Sequence, residues 1–396
     1  MQPTVNVNIK SLFLLDPKIT FLNFGSFGAC PKPIFEDYQK WQLELETEPV
    51  QFLTVKGLGY LKHSREALAK FIHCHYDDLV FTPNPSYAFN IIAKSMDLKP
   101  GDEILTTDLE YGAMDKTWEY YCHQKGAKYI RREVTLPLTM KEDFIAHFMN
   151  GITKNTKAIF ISHITSTTAL ILPVKEICEM AKERGLLTIV DGAHVPGHIP
   201  LNLCELQADI YTGACHKWMM APKGCSFLYV KKEIQSDFDP LVISWGFNSA
   251  TPSNSKFIDY HQLQGTRDFS AFLTIPKVIE FLDKYNWKKQ SADCRQLVLD
   301  NALRFCELLG TNPLCPLNEQ FLAQMFSIPI HTNEPETLQR NLFEAYKIEI
   351  PVMRHGSKTY LRFSIQVFNT QTDLDHLYDA LKEIIANTEL IQIKNS

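Results

Sequence analysis

The sequence predicts an α/β protein: a mainly parallel, doubly wound sheet followed by a smaller α+β part. Two observations predict it. Short β-branched or aromatic runs alternate with helical periodicity through most of the chain, and that alternation stops near Gly265. Strands alternating with helices require right-handed crossovers, which cover both faces of a parallel sheet.

The elements follow in order. An N-terminal helix is predicted over 34–46. Leu79–Thr82 reads as a strand and Ala88–Met96 as a helix. Glu103–Thr107 precedes a helix over 114–124, and Ala127–Arg131 precedes one over 141–149. Lys157–His163 leads into a helix over 174–184. Leu186–Val190, ending at Asp191, then Ile210–Thr212 and Cys225–Val230 complete seven strands. Beyond Gly265 come amphipathic stretches at 275–285 and 290–309, strands at 349–353 and 360–365, and a last helix over 372–386. The division expected is a large unit over 21–265 and a small one over 266–396, with segment 1–20 packing near the small unit.

The 396 residues carry a net charge of −5, with 45% hydrophobic and 21% charged residues. This composition supports a large core and excludes a disordered chain. Slight acidity argues against nucleic-acid binding, which needs a basic face. No apolar run approaches the ~18 residues of a membrane span. The first residues lack a basic stretch followed by an apolar one. A soluble, cytoplasmic protein is expected. The ten cysteines include no C-x-x-C pair and no zinc spacing, so they read as mostly buried thiols in a reducing compartment.

In a parallel sheet, ligands bind beyond the carboxyl ends of the strands. Four such ends carry chemistry. After Thr82, the turn Pro83-Asn84-Pro85-Ser86 opens a helix, where free N–H groups suit a phosphate; an ordinary cap by Asn84 or Ser86 fits the same residues. Tyr111, after the strand ending at Thr107, suits stacking on a flat ring or simple core packing. Asp191 ends an apolar strand, where a carboxylate needs a cationic partner, and His194 follows three residues on. Pro196 and Gly197 separate His194 from His198, which argues against a metal pair. Lys217, in Cys215-His-Lys-Trp218, sits among apolar and aromatic residues. Burial there favours a neutral amine able to form a Schiff base, whereas a surface lysine snorkelling past Trp218 is the plainer reading. The order phosphate turn, aromatic, carboxylate, lysine matches enzymes that use pyridoxal 5′-phosphate.

From Phe21-Leu-Asn-Phe-Gly-Ser-Phe-Gly28 to Tyr360-Leu-Arg-Phe-Ser-Ile-Gln-Val-Phe-Asn369, the chain resembles the class V aminotransferase branch of fold-type I pyridoxal 5′-phosphate enzymes. It most resembles the isopenicillin N epimerase-like group, related to the cysteine desulfurases. The resemblance implies an aspartate aminotransferase-like fold with a seven-stranded sheet. It implies that Lys217 carries the cofactor, Asp191 pairs with its ring nitrogen, Tyr111 stacks on the ring and His194 binds the ring oxygen. Pro85, Ser86 and His216 would belong to the phosphate site, and Ser166 to the cofactor pocket. Thr266, with Gly265, matches a loop reaching the partner subunit's phosphate, which implies a homodimer with shared active sites. Arg362 matches the arginine that grips a substrate α-carboxylate, a task suited to a planar guanidinium. Asn23 and Gly25 lie in the N-terminal substrate segment.

The expected function is therefore Cα-proton chemistry on an amino acid or a small peptide-like amino acid. Epimerisation leads by resemblance, with carbon–sulfur lysis or transamination as alternatives. The desulfurases' loop cysteine is missing from Ile350–Leu361, which disfavours persulfide chemistry. Arg354 and His355 occupy that loop, either facing a distal acidic group of the substrate or simply exposed. A nicotinamide oxidoreductase would share the sheet, yet neither Gly25-Ser-Phe-Gly28 nor Gly57-Leu-Gly59 completes G-x-G-x-x-G.

Overall fold

The computed structural model describes residues 9–393. The chain enters through a two-residue strand, β1 (Thr20–Phe21), and a helix at Lys32–Thr47 that starts on a proline-preset turn. A helix at Gly57–Ile72, which the sequence reading passed over, packs against Ile275–Lys284.

Seven strands then form the main sheet: β2 (Leu79–Thr82), β3 (Glu103–Thr107), β4 (Lys128–Arg132), β5 (Thr156–Ser162), β6 (Leu187–Asp191), β7 (Ile210–Ala214) and β8 (Ser226–Val230). Their order is β2-β8-β7-β6-β5-β3-β4, and β8 alone runs antiparallel to its neighbours. Alternation along β5 shows why the sheet is sandwiched. Ala158 and Phe160 join one apolar cluster, and Ile159 and Ile161 join the other. Phe160 meets Phe89 and Trp118 from helices Pro85–Ser95 and Gly112–Lys125, at ring separations of 5.0 and 5.9 Å. Burial on both faces explains the continuous apolar runs read from the sequence.

Beyond helices Ile275–Lys284 and Trp287–Leu308, β9 (Met325–Ile330), β10 (Ile348–Glu349), β11 (Val352–His355) and β12 (Lys358–Ser364) build smaller sheets. The antiparallel order is β11-β12-β9, while β10 pairs in parallel with β1. The single strand expected over 349–353 is thus two. Pro351 lies between them and offers no N–H to a ladder. Strand β9 and helix Pro335–Glu344 were not foreseen. Residues 1–8 of the expected N-terminal segment lie outside the described residues; β1 does join the small-sheet region.

All ten cysteines are free thiols, seven of them buried. No helix among the described residues is long and apolar enough to cross a membrane.

Candidate active site

The carboxyl ends of β2, β3, β5, β6 and β7 converge on one cleft. It is lined by Ser86, Tyr111, Asp191, His194, His216 and Lys217, with Asn84, Pro85 and Ser166 also in its walls. All eight cofactor-pocket residues expected from one chain therefore meet there. Thr266 does not: it is exposed, in the loop after Gly265.

Lys217 lies just past β7, half-buried where it lines the cleft. Burial pushes it down to about 8, with Asp191 opposing that shift and Arg362 adding to it. Nζ stands 3.2 Å from His194 Nε2. Gly28 explains the close packing around the lysine. Its φ of 64° is left-handed, and a Cβ there would fall 2.4 Å from the His216 carbonyl oxygen and 2.7 Å from that of Lys217. Only glycine allows that approach.

Asp191 ends β6 and is buried. It accepts the Ala193 N–H at 2.8 Å. Burial raises its pKa, while that N–H and Lys217 lower it. A buried carboxylate so thinly compensated suits a cationic ring nitrogen. Asn84 caps helix Pro85–Ser95 by accepting the Tyr87 N–H at 2.9 Å. The capping reading of that turn is thus observed, and Ser86 lines the cleft beside it. His216 donates from Nδ1 to the Cys225 carbonyl at 2.8 Å, since a carbonyl only accepts. Tyr111 stands at the start of helix Gly112–Lys125, 48% exposed. These residues fit pyridoxal 5′-phosphate, with a helix N-terminus for its phosphate, an unbalanced carboxylate and a half-buried, partly neutral amine.

Arg362, on β12, enters from the small-sheet region and is almost wholly buried. Its Nη1 donates to Ser166, and its Nη2 to Ser26 Oγ at 3.1 Å. No carboxylate pairs with it among the described residues, and its Nε has no partner. Burial pulls it down to about 10. A buried guanidinium without an acid is poised for an anionic ligand. Asn23 stands one step behind, accepting from Ser26 at 2.5 Å and donating to Glu349 at 3.1 Å. Gly25 is pressed against β12: its N–H donates to Ser364 Oγ at 3.1 Å, and a Cβ would come within 3.4 Å of Arg362 Nη2.

The sequence reading missed Ser26, although it lies inside the quoted Phe21–Gly28 stretch. It also passed over Glu110. That carboxyl is wholly buried between the Ser162 and Thr107 hydroxyls, which donate at 2.5 and 2.6 Å. Burial drives it up to about 8, with Asp191 adding to the rise. Position beside Tyr111 was the available signal. Arg354 stands away from the cleft, 3.6 Å from Glu336. No cysteine lines the cleft.

Comparison with known proteins agrees with this geometry. The chain is 31% identical to isopenicillin N epimerase of Amycolatopsis lactamdurans, over 97% of this chain and 100% of that one. It is 26% identical to a probable chloroplastic L-cysteine desulfhydrase of Arabidopsis thaliana, over 93% and 84% of the two. A cysteine desulfurase from Thermococcus onnurineus NA1 superposes with a TM-score of 0.82 at 20% identity, covering 96% of this chain and 97% of that one. The cystine C–S lyase C-DES, solved with cysteine persulfide, superposes at 0.80 and 18%, covering 93% and 98%. The description "Aminotransferase class-V" matches residues 53–377, and the chain therefore belongs to the class V aminotransferase family of pyridoxal 5′-phosphate-dependent enzymes.

Proposed function

We propose that this enzyme removes the Cα proton of an amino acid, or a small peptide-like amino acid, with epimerisation at Cα as the leading outcome. The observation that carries the reading is the unpaired, buried Arg362 guanidinium entering the same region as the half-buried Lys217 amine. Residues 21–265 would hold the cofactor, and 266–396 would supply the arginine.

Pyridoxal 5′-phosphate, when bound, supplies an electron sink that makes the Cα–H of an attached amino acid acidic. Lys217 would hold its aldehyde carbon, Asp191 its ring nitrogen and His194 its ring oxygen. Ser86, Pro85 and His216 would face the phosphate. Arg362 fixes the substrate by its α-carboxylate, with two donors in one plane. Lys217, once free, accepts the proton at Nζ; its lowered pKa suits a base near neutral pH. Epimerisation needs a second acid, and the Tyr111 phenol in the same cleft is the candidate. The epimerase relatives support this order.

Carbon–sulfur lysis is the second reading. It needs only Lys217 and a leaving group on Cβ, and desulfhydrase relatives favour it. Persulfide transfer is disfavoured, because no cysteine lines the cleft and burial drives Cys30, near Lys223, up to about 12.

We also infer a homodimer. The exposed loop holding Gly265 and Thr266 adjoins a second loop through the Gly246 N–H, 3.3 Å from the Leu263 carbonyl. That second loop exposes Ile243 and Trp245, the latter 88%.

Incubating candidate amino acids in deuterated water separates the reactions. Cα deuteration with loss of optical activity supports epimerisation. Pyruvate with released thiol from a cysteine substrate assigns lysis instead. Keto acid formed only with an acceptor assigns transamination. A purified protein that stays colourless with added pyridoxal 5′-phosphate refutes the whole reading.

A further inference from the structure

Two histidines behind the lysine have their proton positions fixed by partners that can only donate. Trp218 Nε1–H donates to His194 Nδ1 at 3.3 Å. An indole nitrogen never accepts, so Nδ1 must be bare. The Gln324 backbone N–H donates to His198 Nε2 at 2.8 Å. His198 therefore carries its proton on Nδ1 and donates it to the His194 carbonyl at 2.8 Å. The His198 ring lies flat on the Trp218 indole, 3.6 Å away at 7°. Phe24 packs on the indole at 5.1 Å. Two rings thus contact the indole, and its N–H is aimed at one atom.

We propose that Trp218 is a positioning residue that fixes His194 as the Nε2–H tautomer, so that the imidazole presents a donor, not an acceptor, to Lys217 Nζ and to whatever replaces that amine. An Nε2–H facing an amine 3.2 Å away opposes an ammonium, which has only donors, and accommodates a neutral amine, which has a lone pair. The stacked His198 is the brace that stops the indole turning. His194 stays uncharged because burial, then Lys217, Arg362 and His198, hold its pKa far below the ordinary value. The other charged groups acting on Lys217 are Asp191 and Arg362, with the His216 ring beside it in sequence. The arrangement lets the indole influence the lysine through one ring without touching it.

This inference rests on Lys217 being the cofactor lysine, and the test keeps the two apart. Full-length protein freed of cofactor is mixed with pyridoxal 5′-phosphate, and the capture rate is followed by absorbance against pH. Borohydride reduction and peptide mass then locate the modified residue. The wild-type rate is expected to rise with a midpoint near 8. Trp218→Phe keeps the stack and loses the donor, so the midpoint should rise by about one pH unit, the scale of one hydrogen bond. On a His194→Gln background, Trp218→Phe should give no further shift. Capture at Lys217 with an unmoved Trp218→Phe midpoint overturns the inference and leaves the proposed function standing. Modification at another residue overturns the proposed function instead. A cofactor-independent measurement then decides the role of Trp218: nitrogen resonances of His194 in 15N-histidine-labelled wild-type protein. A bare Nδ1 with a protonated Nε2 supports the assignment, and a protonated Nδ1 overturns it.

Discussion

Arg362 and Ser26, 336 positions apart, are joined by a 3.1 Å bond from the guanidinium Nη2 to the hydroxyl. Ser26 donates its own hydroxyl hydrogen bond to Asn23 Oδ1, leaving a lone pair to accept from the arginine. The fork is thereby aimed by a residue from the other end of the chain. Arg362→Lys keeps a charge but loses the planar pair of donors. Its kcat/KM is expected to fall about 10²-fold, mostly through KM, in steady-state assays. Ser26→Ala should cost a smaller factor, about 5- to 10-fold, in the same direction. An unchanged KM in Arg362→Lys removes the carboxylate grip from the account.

Lys217→Ala should retain the fold and lose the base. Expected are no borohydride-fixed cofactor and a turnover at least ~10³-fold lower. Retained covalent capture, read by mass, moves the attachment to another residue.

Glu110 gives a pH signature of stability. Burial holds its pKa at about 8, above the ordinary carboxyl value of 4.5. The folded chain therefore holds a proton that the unfolded chain releases between those values, and stability falls as pH rises through that window. Glu110→Gln cannot titrate. Between pH 5 and pH 8 its unfolding free energy should fall less than that of the wild type, by on the order of 2 kcal/mol. Parallel urea-denaturation curves across that range would show the carboxyl to be ionised throughout.

Trp245→Glu places a charge on the most exposed of the large apolar side chains among the described residues. If the loop meets a second copy, light scattering should show a shift from dimer toward monomer, with loss of cofactor retention. A wild-type protein that is monomeric at micromolar concentration contradicts the shared-site reading.

Gly28→Ala puts a Cβ into two carbonyl oxygens that belong to the lysine turn. Backbone cannot yield as a side chain does, so a loss of about 2 kcal/mol or more is expected in denaturant unfolding. Weaker cofactor retention should accompany it.

The main sheet was legible because both of its faces are buried, and buried strands write themselves as apolar runs such as Ile159–Ile161. Lys217 and Asp191 were legible because an ionisable residue closing such a run is expensive unless it serves something. Strand β9 was not read, since Pro329 interrupts a short run and its pairing with β12 is long-range. Ser26 gives no local sign of its partner, as its role exists only once β12 arrives beside it. Trp218 was read as an apolar neighbour of the lysine; its bond to His194 depends on a loop 24 residues earlier. Glu110 was hidden because its hydroxyl partners make an ordinary carboxylate into a buried acid only in the folded chain.

The strip from β1 to Gly28 also has a consequence in time. Its bonding partners, Glu349 and Ser364, lie near the opposite end of the sequence. On the ribosome the strip emerges before the sheet, and its partners emerge after it. The seven-stranded sheet, by contrast, closes entirely from residues 79–230. The sheet can therefore form during synthesis before the partners of this strip are made, so the contacts of Ser26 and Gly25 with β12 are long-range ones that join late.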